Sequence, residues 1–307
     1  NPNFAQAIRN NPTRSAYDEN SNTGYNIWLY EDLQFNTIAA VKLYDYYGLD
    51  QWLKPEVSAK LNILPVQGLS YTQTMGYELR QWENQTYRWS THQDEVSVNR
   101  NGTAYQGFSK TENINSEGYF NYMNSFDKHN INATLGYSYY ERNSQGFNMT
   151  NYNFPVEATA LWDIGTGSYN KLGQASMASS KDITQKLLAY FARVNYDYDG
   201  KYIVSASYRR ESSSKFAKNN RWGNFWSVSA GWRISDEPWM ENASWIDDLK
   251  IRAAYGVTGN SDFSSSYASM SYGSDGYFMM PASGNYAIAY GPAVTLNPNL
   301  KWEEQLG

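Results

Sequence analysis

Cysteine is absent from this 307-residue chain, and histidine occurs only twice. Without cysteine there is no disulfide framework and no zinc site built on thiolates. His92 and His129 have no second metal ligand near them in sequence, so each is expected to be an ordinary polar side chain. We therefore predict no metal site and no cofactor.

The chain also lacks a long apolar run, and its mean hydropathy is −0.69. Transmembrane helices are therefore not expected, whereas membrane-spanning β-strands, which alternate apolar and polar residues, are compatible with this value. A net charge of −5 without any basic run argues against a nucleic-acid partner. Because phosphate loops, nucleophile elbows and nucleophilic cysteines are missing too, we expect no catalytic residues and no enzyme.

Aromatic residues, by contrast, make up 17% of the chain, with 28 Tyr and 11 Trp. Many of them lie on stretches where every second residue is uncharged, which is the two-residue period of β-strands. The 27 positions on these uncharged faces contain no Asp, Glu, Lys or Arg. They are Ile131, Ala133, Leu135, Tyr137 and Tyr139; Leu188, Tyr190, Ala192, Val194, Tyr196 and Tyr198; Tyr202, Val204, Ala206 and Tyr208; Trp222, Asn224, Trp226, Val228, Ala230, Trp232 and Ile234; and Leu249, Ile251, Ala253, Tyr255 and Val257.

The pattern predicts eight strands, at about 54–64, 69–82, 118–126, 130–142, 184–198, 201–211, 222–234 and 249–257. Short connections follow the odd strands, at 65–68, 127–129, 199–200 and 235–248. Longer, polar and aromatic-rich connections follow most even strands, at 83–117, 143–183 and 258–298, with a shorter one at 212–221. Helical stretches are expected only at 37–47 and 237–245.

In an up-and-down sheet, this parity puts the tight turns at one end and the long loops at the other. Outer-membrane barrels have that asymmetry, and charged residues on their lipid face are costly. A secreted β-sandwich would also keep charges out of its core, so the charge-free face alone leaves both architectures open. The loop parity and the tyrosines around Asp199-Gly200 favour an all-β, transmembrane, antiparallel barrel.

Several motifs are similar to those of the SusC/RagA family of TonB-dependent outer-membrane transporters, and they occur in the family's order. They are YFARVNYDY (190–198), SSSKF (212–216), NNRWG (219–223), FWSVSAGWRIS (225–235), WIDDLKIRAAYG (245–256), TGN (258–260) and NPNLKWE (297–303). KHNINA (128–133) and LGY (135–137) fit the middle of the family's barrel, and NPT (11–13) fits its early part. Asn36-Thr37 departs from the family, which commonly has Asn-Pro there.

The resemblance implies that residues 1–307 are part of a plugged barrel of about 22 strands. It also implies energised import of an oligosaccharide or peptide through the bacterial outer membrane, with a SusD-like surface lipoprotein and the TonB complex as partners. The plug, the N-terminal extension and the final strands are expected outside this chain, since no signal peptide precedes Asn1 and residues 299–304 resemble the start of another strand.

Ligand contacts are expected in the long loops, where aromatic rings alternate with hydroxyl and amide side chains that suit sugars or peptides. The candidates are Trp162, Tyr169, Tyr272, Tyr277 and Phe278. The same rings would equally well pack the loops together or contact the SusD-like surface lipoprotein. Arg193, Arg209, Arg233 and Arg252 are predicted to face the lumen, where they would pair with carboxylates of the plug.

Two functions from different classes remain open at this stage. The first is active, TonB-energised import, which would stop when the proton gradient collapses. The second is a passive outer-membrane porin or a surface adhesin on a similar barrel, which would not depend on the gradient.

Overall fold

The computed structural model describes residues 15–26, 28–29, 34–170, 174–181, 185–241, 245–262, 272–279, 286–292 and 299–307. The elements in chain order are β1 (Trp28–Leu29), β2 (Gln34–Phe35), α1 (Thr37–Lys42), β3 (Tyr44–Leu53), β4 (Glu56–Asn62), β5 (Leu69–Arg88), α2 (Gln93–Val96), β6 (Thr103–Phe126), β7 (His129–Tyr152), β8 (Ser176–Lys181), β9 (Gln185–Tyr198), β10 (Tyr202–Ser213), β11 (Trp222–Arg233), β12 (Lys250–Asn260), β13 (Tyr272–Met279), β14 (Tyr286–Pro292) and β15 (Glu303–Leu306). Short 3₁₀ turns lie at Glu157–Thr159, Ile164–Thr166, Ser168–Asn170, Lys218–Asn220, Ile234–Asp236 and Pro238–Met240. No helix within these residues is long and apolar enough to cross a membrane.

Eleven of the described strands form one sheet, in which most neighbours in sequence are also neighbours in space. The order is β15-β12-β11-β10-β9-β7-β6-β5-β3, with β4 on β5 and β8 on β7. This is the up-and-down arrangement that the sequence predicts. The hairpin β13-β14 forms a separate two-stranded sheet within the loop predicted at 258–298.

The chain divides into two compact units, and β5, β6 and β7 each contribute residues to both. The first unit consists of Asn1–Leu53, Leu79–Thr111 and Ser144–Asp182, and the second of Lys54–Glu78, Glu112–Asn143 and Ile183–Gly307.

In the second unit, the register brings the predicted charge-free faces together. Val194 lies opposite Ala133 and Ala206, Ala206 lies opposite Val228, and Val228 lies opposite Tyr255. The same parity holds along all five strands, so β7, β9, β10, β11 and β12 present one continuous apolar surface. The prediction of these faces is therefore confirmed.

No part of the chain that the structure describes covers this apolar surface. Val204, Val228 and Ile251 are 48%, 48% and 57% exposed, so no second sheet within these residues packs on it as in a sandwich core. From Tyr198 to Leu188 the face extends about 33 Å along β9, which a tilt of about 40° reduces to roughly 25 Å. That is the height of the apolar band on a membrane-spanning barrel.

Polar and aromatic groups mark both ends of the apolar surface. Near the short turns, buried Glu237 accepts hydrogen bonds from the hydroxyl of Tyr202 (2.7 Å) and from Nε1 of Trp232 (2.9 Å). At the other end, Glu141 lies opposite Lys186 and pairs with its Nζ at 3.2 Å. The aromatic and charged side chains therefore frame the surface, as two membrane interfaces require.

The turn at Asp199-Gly200 fixes the register of β9 and β10. Both residues have positive φ, 53° and 70°, which the type I′ hairpin turn needs. Lys201 N donates to Tyr198 O at 3.0 Å and closes the turn. The predicted turn is confirmed, but the connection has three residues rather than the predicted two, because Tyr198 pairs with Tyr202 and Lys201 lies outside both strands.

Several predicted boundaries are wrong. The predicted loops at 83–117 and 143–183 are partly strand, because β5 continues to Arg88, β6 begins at Thr103 and β7 continues to Tyr152. The predicted helix at 37–47 ends at Lys42, since Tyr44 to Leu53 pair with β5. The helix predicted at 237–245 is replaced by the two 3₁₀ turns at Ile234–Asp236 and Pro238–Met240, while residues 242–244 lie outside the described part.

Candidate ligand-binding site

The four predicted lumen arginines share one face of the second unit, opposite the apolar surface. Arg193 lies opposite Ser207, Arg209 opposite Phe225, Arg252 opposite Gly231 and Arg233 opposite Lys250, all with the same strand parity. The assignment of this face to a lumen stays a prediction.

Two of these arginines already have carboxylate partners in their own chain. Nε of Arg209 donates to Oε2 of Glu211 at 2.6 Å, and Arg233 lies 3.5 Å from a carboxylate oxygen of Asp236 and 3.7 Å from one of Asp248. Their charges are therefore compensated without a plug.

Arg193 is placed differently, because it lines a cavity of about 740 Å³ on the polar face. Lys60 and Glu117 line the same cavity, so cationic and anionic groups both face it. The full lining is Ser58, Lys60, Ser70, Thr72, Glu117, Tyr119, Asn121, Thr134, Phe191 and Arg193. Hydroxyl and amide groups dominate, which suits a polar ligand or a polar segment of protein.

The predicted loop aromatics have different environments. Trp162 is 84% exposed and follows the turn at Glu157–Thr159, so its ring is available for contact. Tyr169 packs its ring against Tyr152, with the centroids 5.1 Å apart, which is the loop-packing role that the sequence left open. Tyr272, Tyr277 and Phe278 fall on β13, whose side chains lie outside the described part of the structure.

The first unit has a small core of its own, built by the end of β5, the start of β6 and the segment that follows β7. Tyr87, Ala104, Phe154 and Ala160 are each at most 1% exposed, and Trp89, Leu161 and Ile164 pack against them. The carboxylate of Glu157 accepts hydrogen bonds from the hydroxyl of Tyr87 (2.9 Å) and from the backbone amide of Ser90 (2.6 Å). The segment that follows β7 is therefore folded around this core rather than an irregular loop.

A buried carboxylate fixes the short helix α2. Glu95 is fully buried, lies 3.3 Å from Nε of both Arg88 and Arg100, and accepts the hydroxyl of Thr103 at 2.7 Å. The guanidinium of Arg100 stacks on Tyr152, 4.9 Å from the ring centroid. The two guanidinium groups compensate the free-energy cost of burying the Glu95 carboxylate. Removal of Glu95 would leave Arg88 and Arg100 without this shared anionic partner.

A second cavity of about 740 Å³ lies within this first unit. Its lining includes the side chain of Arg88, whose Nη1 donates to Oδ2 of Asp94 at 2.9 Å. The full lining is Ala40, Val41, Tyr44, Tyr46, Thr86, Arg88, His92, Gln93, Asp94, Thr103, Tyr105 and Thr150. It combines three tyrosine rings, an ion pair and several hydroxyl groups, a composition typical of ligand sites.

His92 is held at the edge of this cavity as the N-cap of α2. Its Nδ1 accepts the amide of Asp94 at 3.1 Å, and the residue is only 5% exposed. Burial lowers the pKa of His92, against the opposing effect of the nearby Asp94 carboxylate. The neutral ring that the cap requires is therefore the favoured form. Within the described residues no cluster of His, Asp and Glu could hold a metal ion.

Sequence patterns did not identify this cavity, since its residues come from segments that were predicted as helix or loop. One signal was present: Tyr44, Tyr46, Asp50 and Trp52 alternate along 44–53 just as the recognised strands do.

Comparisons with known proteins agree with this architecture. The family model described as TonB dependent receptor-like, beta-barrel matches residues 2–305. TonB-dependent receptor P39 of Formosa agariphila is 30% identical over 244 residues, covering 77% of this chain and 22% of the relative. TonB-dependent receptor SusC of Bacteroides thetaiotaomicron is 33% identical over 120 residues, covering 38% of this chain and 12% of the relative. The chain thus spans less than a quarter of these curated relatives.

Solved structures have the same fold. The RagAB peptide transporter superposes with a TM-score of 0.76 at 20% identity, over 91% of this chain and 30% of that chain. The RagAB peptide importer in its open-open state gives 0.72 at 19% identity, over 91% and 29%. The expected resemblance to SusC/RagA receptors is confirmed, and the chain belongs to the TonB dependent receptor-like β-barrel family of outer-membrane proteins.

Proposed function

We propose that this chain is part of the wall of a bacterial outer-membrane importer, which takes up an oligosaccharide or a peptide in a TonB-energised cycle. A SusD-like lipoprotein would cover the opening at the cell surface. The TonB complex would act through parts of the protein outside this chain.

The observation that carries the proposal is the single face shared by β7, β9, β10, β11 and β12, apolar, exposed and framed by aromatic and charged groups. Such a wall suits a barrel in lipid, and in this family a barrel of about 22 strands holds a plugged lumen. A plugged lumen needs energy to open, which favours import over passive flow. Relatives named SusC and RagAB support the nutrient class.

The test is uptake by cells that carry the intact receptor as their only route for a labelled nutrient. We expect uptake to require the receptor and to stop when a protonophore collapses the proton gradient, while binding at the cell surface persists. Uptake or ion conductance that continues at the same rate without the gradient would instead identify a passive porin. Surface binding with no uptake in either condition would identify an adhesin.

A further inference from the structure

A strip of aromatic and polar side chains runs along one face of β3 and β5 in the first unit. On β3 it consists of Tyr44, Tyr46, Gly48, Asp50 and Trp52, which alternate with residues of the other face. Their register partners on β5 are, in order, Arg88, Thr86, Asn84, Trp82 and Arg80. Tyr44, Tyr46, Thr86 and Arg88 also line the cavity of this unit, so the strip leads into it.

Tyr46 lies flat over the strand because residue 48 is glycine. A Cβ at position 48 would overlap the Tyr46 hydroxyl and would lie 2.9 Å from its Cζ. The ring therefore rests across the backbone of Gly48, and the residue is 61% exposed. A ring that lies flat with a free outer face is a stacking platform.

Trp52, two positions beyond Asp50 on the same face, is fixed in place by its neighbours. Its Nε1 donates to Oδ1 of Asp50 at 2.9 Å, and the guanidinium of Arg80 stacks 4.8 Å from the ring centroid. Trp52 nevertheless stays 57% exposed. A large ring held in this way loses little conformational freedom when a ligand binds.

Each carboxylate of the strip and of the cavity mouth is matched by a guanidinium. Asp50 accepts two hydrogen bonds from Arg80, at 3.0 and 2.6 Å, and Asp94 pairs with Arg88 at 2.9 Å. The surface therefore offers donors and acceptors side by side but carries no unbalanced charge at these pairs. A neutral ligand rich in hydroxyl groups fits this better than a charged one.

We propose that the strip of Tyr44, Tyr46 and Trp52, with its two Asp–Arg pairs, is a subsite for a neutral oligosaccharide. Sugar rings would stack their C–H faces on Tyr46 and Trp52, and their hydroxyls would bond to the ion pairs. This rests on the proposed import function, of which it specifies the cargo class. A peptide is disfavoured because its charged ends and side chains would compete with pairs that are already satisfied.

The test compares two neighbouring tyrosines on opposite faces of β3 in the intact receptor. The probes are neutral hexasaccharides of glucose, mannose, galactose and xylose, with a tryptic digest of casein as the peptide comparison, and binding is measured by calorimetry. Tyr46→Ala should weaken the binding of the preferred hexasaccharide about tenfold, whereas Tyr47→Ala, on the other face and 52% exposed, should leave it unchanged.

Gly48→Ala is a second variant, which keeps every aromatic and polar group but displaces the Tyr46 ring. It should weaken binding in the same direction, without the loss of surface expression that a folding defect would cause. Equal affinities of Tyr46→Ala and Tyr47→Ala, or no hexasaccharide binding by the wild type, would overturn the subsite. Casein peptides that lose affinity in Tyr46→Ala would overturn the carbohydrate assignment in favour of a peptide.

The two proposals fail separately. If uptake continues without the proton gradient, the import proposal is wrong, although the difference between Tyr46→Ala and Tyr47→Ala can still be measured. If uptake stops but the two variants bind alike, import stands and the subsite does not.

Discussion

His92 and Glu95 show how single buried side chains hold a helix of only four residues, Gln93–Val96. An isolated turn of this length is unstable in water, so its stability must come from its contacts. Glu95 supplies them through Arg88, Arg100 and Thr103, and His92 supplies the cap. The position of Asp94 at the cavity mouth therefore depends on the fully buried Glu95 and on its partners, of which Arg88 and Thr103 line the same cavity.

The cap on α2 should depend on pH. Because the pKa of His92 is lowered in the folded chain, its stabilising effect is complete above the unfolded value of about 6.5 and is lost as the pH falls through the folded pKa. A protonated ring cannot accept the amide of Asp94, and the loss of a cap costs about 1 kcal/mol. Hydrogen exchange of amides 94–97 in the intact receptor, corrected for intrinsic rates, should accelerate between pH 8 and pH 5.5.

His92→Asn provides the matched control for this pH effect. Asparagine is a good N-cap that does not titrate, so the variant should keep the protection of α2 at both pH values. An equal acceleration in wild type and variant would assign the pH response to a group other than His92.

Residue patterns could not have revealed these contacts. Glu95 and Thr103 are eight residues apart, and Glu157 reaches Tyr87 across 70 residues, within segments that have no apolar period. Phe154 reads as one more loop aromatic in the sequence but is fully buried. A polar loop and a polar folded segment look alike in one sequence, because the difference lies in long-range pairing.

At the scale of elements, each of the eight predicted strands is present, but several of their ends were misplaced and β3 and β8 were missed. The charge-free face marks a strand only where one side meets an apolar medium. Further along β7, from Arg142 to Tyr152, both faces carry polar groups, so the alternation stops although the backbone pairing with β8 continues. The same reason explains why residues 103–117 of β6 read as a loop.

Trp302 joins three motifs that the sequence shows only as separate stretches. Its ring lies 5.4 Å from that of Phe216 and 5.1 Å from that of Phe225, and its Nε1 donates to Arg221 O at 2.8 Å. Trp302 is 7% exposed and Phe216 is fully buried. The segment just before β15 thus anchors the connection between β10 and β11.

Trp302→Ala should loosen this connection. Truncation of a buried tryptophan lowers the free energy of unfolding by about 3–5 kcal/mol. We expect the effect to fall mainly on residues 214–221, because the substitution removes the ring that anchors them. We expect trypsin to cleave the intact receptor at Lys215, Lys218 or Arg221 at least tenfold faster than in the wild type. Trp245→Ala is the control, because Trp245 is 83% exposed and its loss should change nothing. Equal cleavage of both variants would show that Phe216 and Phe225 hold the connection without Trp302.

At the scale of the whole molecule, the two faces of β10 and β11 should report different surroundings. Val204 lies opposite Ala230 and Ser205 opposite Ser229, so adjacent residues point to opposite sides. The chain contains no cysteine, so single substitutions introduce a unique label into this part of the receptor.

Spin labels at Val204→Cys and Val228→Cys should be accessible to oxygen in the bilayer and protected from a water-soluble nickel quencher. Labels at Ser205→Cys and Ser229→Cys should show the reverse ratio, because polar groups share their face. Quenching of the Val204 and Val228 labels by nickel would refute the lipid-facing surface. The two faces can be predicted from the sequence alone, because an apolar medium on one side of the sheet requires uncharged residues at every second position.

The ends of the apolar surface also set which bilayer this wall can tolerate. Arg210, stacked 5.0 Å from the centroid of Trp222, lies opposite Tyr190 and Asn224 on the same face, and the Glu141–Lys186 pair lies on neighbouring strands. A thicker hydrocarbon layer would draw these charges into it, and a thinner one would leave Tyr202 and Trp232 in water. Mismatch costs fractions of a kcal/mol per ångström, so these five side chains together limit the length of the lipid chains that the wall tolerates.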